Sequence, residues 1–140
     1  MNQNYKHPKR KTKVVFVQLG SPSEPTTKAL RKYLRKFLGD PRVVDINPWL
    51  WKIILNFFVL PFRPKKSAKL YARIWDGESF PLITNTRDFT KNVEKELKEI
   101  DPENYVEVNH AFLLSPPYVN EVYDSWEDDL KKGIGATKLL

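Results

Sequence analysis

The sequence contains no cysteine, only two histidines and five glycines among 140 residues. Without cysteine there are no disulfides, thiolate metal ligands or thiol nucleophiles, which fits a reducing compartment. His7 sits in a basic N-terminal stretch and His110 inside a predicted strand, and neither is flanked by carboxylates at ligand spacing. A buried, hydrogen-bonded His110 is therefore expected rather than a metal centre. No Ser-His-Asp or paired-carboxylate arrangement can be assembled. Gly20 stands alone, outside any GxGxxG or GxxxxGK[ST] pattern, which argues against a nucleotide cradle. No apolar stretch reaches the roughly 20 residues that a bilayer span requires. No apolar segment of a secretory signal precedes Lys13, so a cytoplasmic location is expected.

What is present suffices for one core: 41% of the residues are hydrophobic and 13% aromatic, enough for a single domain. The net charge of +7 directs attention to anions. Lys6, Lys9, Arg10, Lys11 and Lys13 fall in the first thirteen positions, so residues 1–12 read as a basic flexible tail ahead of an α/β domain at 13–140. No base-stacking aromatic pattern accompanies the charge, and a nucleic-acid partner is not expected. A weak, salt-sensitive attraction to anions is.

Lys13 to Leu19 is a continuous β-branched apolar run, the pattern of a parallel strand covered on both faces. Leu30, Tyr33, Leu34, Phe37 and Leu38 then recur at helical spacing among Lys28, Arg31, Lys32, Arg35 and Lys36, whose charges read as a solvated face. Leu70, Tyr71, Ile74 and Trp75 form a short apolar face. Phe89, Val93, Leu97 and Ile100 predict the inward side of a longer helix with a Lys/Glu exterior. Tyr105 to Leu114 predicts a second strand, Val119 to Leu130 a helix, and Thr137 to Leu140 the start of a third strand. This order predicts an α/β, Rossmann-like parallel sheet flanked by helices, with the sheet incomplete.

One stretch resists this scheme. Between Pro48 and Phe62 the only polar side chains are Lys52 and Asn56, four apart and so on one helical face. Most of the remaining circumference is apolar, and Arg63, Lys65 and Lys66 follow at once. Three readings fit: a buried core helix, insertion into a membrane interface, or one wall of an open apolar cleft.

Three stretches, "VQLGSPSEPTTKALRKYLRKFLGDPRVVDI" (Val17 to Ile46), "LPFRPKKSAKLYARIW" (Leu60 to Trp75) and "SFPL" (Ser79 to Leu82), together resemble the N-terminal half of bacterial ferrochelatases. That resemblance implies a chelatase-like fold of two similar domains facing each other across a cleft, of which this chain supplies most of the first. The implied activity is insertion of Fe²⁺ into protoporphyrin to make haem, with both as substrates and no permanently bound cofactor. The lip at 48–66 would cover the porphyrin, with its apolar side against the macrocycle and its cations near the propionates.

Carried over by position, the resemblance implies a porphyrin-binding set of Leu19, Gly20, Phe58, Leu60, Arg63 and Tyr71. The sequence departs from the family pattern at Gln18 in place of Asn, at Phe80 in place of Ser, and at Leu113-Leu114-Ser115-Pro116-Pro117 in place of an "RYGNP"-like run. Metal insertion needs a base for the pyrrole protons. The family's histidine and glutamate for that task belong to its second half, and His110 does not align with that histidine. No catalytic residue or metal ligand is therefore expected here, and the chain alone is expected to be inactive. The implied partners are porphyrin, a second chelatase half or a homo-oligomer, and a peripheral contact of the lip with the inner membrane. The alternative is a non-catalytic porphyrin- or haem-binding module, or a subunit of a split enzyme.

Overall fold

A computed structural model of the chain describes residues 11–131. In order, the elements are β1 (Lys11–Gln18), α1 (Thr27–Leu38), α2 (Pro48–Ile54), a π-helical turn (Leu55–Val59), α3 (Leu60–Tyr71), α4 (Pro81–Ile100), β2 (Tyr105–Phe112) and α5 (Val119–Lys131). The two strands pair in one parallel sheet, and the protein is α/β with helices flanking it. The register is legible in the partners: Lys13 meets Glu107, Leu19 meets Leu114 and Ser21 meets Ser115. Both members of these pairs advance together, as parallel strands require. β1 begins at Lys11, two residues inside the stretch read as tail. The expected strand at Thr137 to Leu140 lies outside the described residues.

The chain forms two compact units. In the sheet unit (within the described residues, 11–18, 86–111 and 117–131), Val15, Ala111 and Trp126 are buried together, with Val119 and Val122 against them. Lys13 is buried too. Its ammonium lies 3.2 Å from Glu107 Oε2 and 5.4 Å from the centre of the Trp126 ring, so the charge is paired and faces a π cloud.

The inward face of α4 differs from expectation. Thr86 and Thr90 are buried, whereas Phe89 and Ile100 are exposed. The Thr90 hydroxyl donates to the Thr86 carbonyl at 2.8 Å, which removes the desolvation cost of placing a hydroxyl inside. Phe89 still meets Phe16 edge to face, at 5.0 Å between ring centres.

The lip unit (Leu19–Asn85 and Phe112–Pro116) is organised by α1. Thr26 caps the helix by accepting from the Ala29 N–H, and Leu30, Tyr33, Leu34 and Leu38 are buried at helical spacing. Leu55 and Leu60 complete this core, with Phe37, Val44, Trp51, Val59 and Leu114 packed around it. Each fully buried leucine is worth roughly 1.5–3 kcal/mol. The Trp51 indole N–H donates to the Leu38 carbonyl, one of the last in α1, which satisfies an orphan acceptor at the helix end.

Helical structure runs from Pro48 to Tyr71 without a loop, through prolines that the sequence suggests as boundaries. Asn47 caps its start, accepting from Trp49 and Leu50, and Pro48 occupies the first turn. The π turn then lets the Leu60 N–H reach the Leu55 carbonyl five residues back, which places Pro61 in the first turn of α3. Pro64, inside α3, has no N–H to offer the Leu60 carbonyl four residues before it. The Arg31 Nε–H of α1 supplies the missing donor at 3.2 Å.

Candidate functional site

Two chain turns meet at the carboxyl ends of the strands, where ligands settle in open parallel sheets. The Leu114 N–H donates to the Leu19 carbonyl at 3.0 Å, and the Ser21 N–H donates to Ser115 Oγ at 3.3 Å. Gly20 has φ +92°, a conformation that L side chains rarely adopt, and a Cβ there would overlap Ser115 Oγ. The glycine is thus required by the approach of Ser115, an interaction that the resemblance does not imply.

The Tyr33 hydroxyl donates to the Gly20 carbonyl at 3.1 Å. Burial, and secondarily the neighbouring Tyr71, push the Tyr33 pKa up to about 12. The hydroxyl therefore remains a donor across the physiological range and fixes this turn. On either strand end Leu19 and Leu113 leave apolar side chains exposed.

The lip has two apolar faces. Leu55 and Leu60 turn inward, whereas Trp49, Phe57, Phe58 and Phe62 are 79%, 70%, 66% and 72% exposed. Leu50 and Ile53 join them on the outer side. Among the described residues nothing covers this face, so the stretch is not enclosed there as a core helix, and an exposed apolar face of this kind seldom occurs without a use. Asn56 Nδ2 donates to the Lys52 carbonyl, so the two polar residues share a side as their spacing predicts.

Leu60, one of the expected porphyrin contacts, is 2% exposed and packs with Leu55 in the core of the lip unit. The outward apolar positions nearest to it are Phe57, Phe58 and Phe62. Lys52 and Asn56 mark only one side of the stretch, and the inner and outer faces carry the same residue types, so the sequence alone does not distinguish the side that faces the core. Arg63, Lys65, Lys66 and Lys69 are exposed along α3. From Ile46 to Trp75 there is no Asp or Glu at all, against six Lys and Arg.

Tyr71 is half-buried and meets Phe80 edge to face at 5.4 Å, and Trp75 meets the same ring at 4.6 Å. Phe80 is fully buried, so it anchors this aromatic trio from the core side. In the sheet unit, His110 is half-buried. Desolvation, with Arg87 and Lys91 adding positive potential, lowers its pKa below the usual imidazole value. Among the described residues no group of three His, Asp or Glu side chains is placed to hold a metal ion. No helix among them is long and apolar enough to cross a membrane.

The parallel two-stranded sheet flanked by helices defines an α/β protein, and the lip unit by itself carries the turn fixed at Gly20 and a helical stretch that is apolar on its outer face and cationic along its continuation. Residues 11–137 match the model of one family, Ferrochelatase, and the chain belongs to that family. It is similar to the ferrochelatase of Psychrobacter arcticus (47% identical over 113 residues, 79% of this chain and 32% of the relative). The ferrochelatase of Idiomarina loihiensis is 40% identical over 127 residues, covering 91% of this chain and 34% of the relative. That of Francisella tularensis is 34% identical over 140 residues, covering 99% and 39%. The chain thus spans about a third of the length of the curated relatives it matches.

Proposed function

We propose that this chain supplies one wall of a ferrochelatase cleft, where protoporphyrin is held while Fe²⁺ is inserted to give haem. The carrying observation is the exposed outer face of the lip, joined to an acid-free cationic stretch. A porphyrin has the matching chemistry, a flat apolar macrocycle with carboxylates at one edge. Removing ring and side-chain surface from water is favourable by roughly 25 cal/mol per Å², and Arg63 or Lys66 would neutralise the propionates. Phe58 and Leu19 would contact the ring, Tyr71 would stand at its edge, and the Gly20 turn, held by Tyr33, would keep Leu19 in place. The same exposed aromatics suit peripheral contact with a membrane interface at the cytoplasmic side, from which an insoluble substrate could be collected.

Metal entry displaces two pyrrole protons, so a base is needed near the ring centre. The lip unit contains no histidine, and the proton acceptor is expected from outside it, in a second chelatase half or another subunit. The chain alone would then bind porphyrin without turnover, as a binding module or a subunit of a split enzyme.

Titration with protoporphyrin, read by quenching of Trp49 and Trp51 fluorescence, tests this. Phe58→Asp and Arg63→Ala should each weaken binding about tenfold, the loss of one charge-assisted bond or one desolvated ring contact. Unchanged affinity in both variants would reject the lip as the porphyrin wall, and haem formation by the isolated chain would reject the need for an external base.

A further inference from the structure

The charge of the chain is concentrated in one unit. Leu19–Asn85 with Phe112–Pro116 carries twelve Lys and Arg against five Asp and Glu, the entire excess of +7, while the remaining sequence has twelve of each. The basic N-terminal stretch is thus offset by acidic residues elsewhere outside the lip unit, and the uncompensated charge belongs to the lip unit.

Two helices of this protein show what that imbalance means. α4 interleaves both signs, with Lys98 Nζ 2.8 Å from Glu94 Oε1 and Lys95 Nζ 3.9 Å from Glu99 Oε1, as a merely solvated face does. α1 has Lys28, Arg31, Lys32, Arg35 and Lys36 with no acidic residue between Glu24 and Asp40. Like charges three and four apart weaken a helix, so solvation alone does not account for this pattern.

These five side chains, with the turn from Gly39 to Arg42, line an open groove of about 990 Å³. The groove already holds one carboxylate. Asp40 accepts from Arg42 Nε at 3.0 Å and from Nη2 at 2.7 Å, and these bonds lower its pKa to about 2.

We propose that the α1 groove binds an extended acidic segment of a partner protein. The twelve residues of α1 span about 18 Å at ~1.5 Å per residue, which an extended chain covers with five or six residues at ~3.3 Å each. The ammonium and guanidinium ends of Lys28, Lys32, Arg35 and Lys36 would pair with its carboxylates. A single-stranded nucleic acid would find no aromatic side chain among the lining residues on which to stack. This surface is separate from the lip residues assigned to porphyrin, so its test does not depend on that assignment.

Fluorescence anisotropy with a labelled hexaglutamate peptide, against a hexaglutamine control, reads the site directly. Saturable binding that weakens with salt is expected for hexaglutamate alone. The Lys32→Gln/Arg35→Gln variant should lose about tenfold or more in affinity, while the matched α4 variant Lys95→Gln/Lys98→Gln should change by less than about twofold. Circular dichroism should superpose for all three proteins, because neutralising α1 relieves repulsion. Equal losses in both variants, or equal binding of the two peptides, would overturn the proposal. So would a dependence on Lys32 and Arg35 seen with phosphatidylserine vesicles or an oligonucleotide but not with hexaglutamate.

Discussion

The junction of α1 with α3 offers a sharp test of how this lip is held. Pro64 cannot donate to the Leu60 carbonyl, and Arg31 Nε fills that place at 3.2 Å. Replacing Arg31 by Met keeps an unbranched stem over the helix but removes the donor, leaving a partly buried acceptor without a partner. The expected loss is about 1–2 kcal/mol, in the lower part of the range for charged donors because the site is partly open to water. In a Pro64→Ala background the helix regains its own N–H at position 64, so the Arg31→Met change should then cost only a few tenths of a kcal/mol. The coupling energy should therefore be about 1 kcal/mol or more. Urea unfolding of the four proteins, followed by tryptophan fluorescence, gives each stability from its midpoint. Equal cost of Arg31→Met in both backgrounds would refute the capping argument and leave the Arg31 contact as incidental.

Two further outcomes concern pH. The Tyr33 proton is held to about pH 12 in the folded state against 10.0 in the unfolded chain, so the folded protein binds more protons between these values. Its contribution is complete below pH 10 and falls as pH rises toward 12. Tyr33→Phe should lack this alkaline loss and should be about 0.5–1.5 kcal/mol less stable at neutral pH, as measured by urea midpoints. The opposite sign holds for His110. Its folded pKa lies below 6.5, so the unfolded chain binds more protons there, and stability should fall as pH drops below 6.5. The thermal midpoint of His110→Asn should decline less steeply with acidification than that of the natural protein, and parallel profiles would remove His110 as the cause.

The alternation of elements, the amphipathic face of α1 and the register-bearing runs of β1 and β2 follow from side-chain periodicity, so the α/β class is legible without coordinates. Family membership is legible from the LGSP and FRPKK stretches, the first at the turn where Gly20 takes φ +92° and the second within α3 around Pro64. The inner face of the lip is a different matter. Leu55 and Leu60 are chemically like Phe57 and Phe58, and only the π turn, which rotates the helix by an extra residue, decides which are enclosed. The continuity through Pro64 likewise rests on a donor from Arg31, 29 positions before the Leu60 carbonyl it serves, which no local pattern reports. Composition set how much apolar and basic surface this protein carries. Tertiary packing alone decided which part of it remains open to a ligand, because burial depends on what lies across from a side chain and not on its neighbours in sequence.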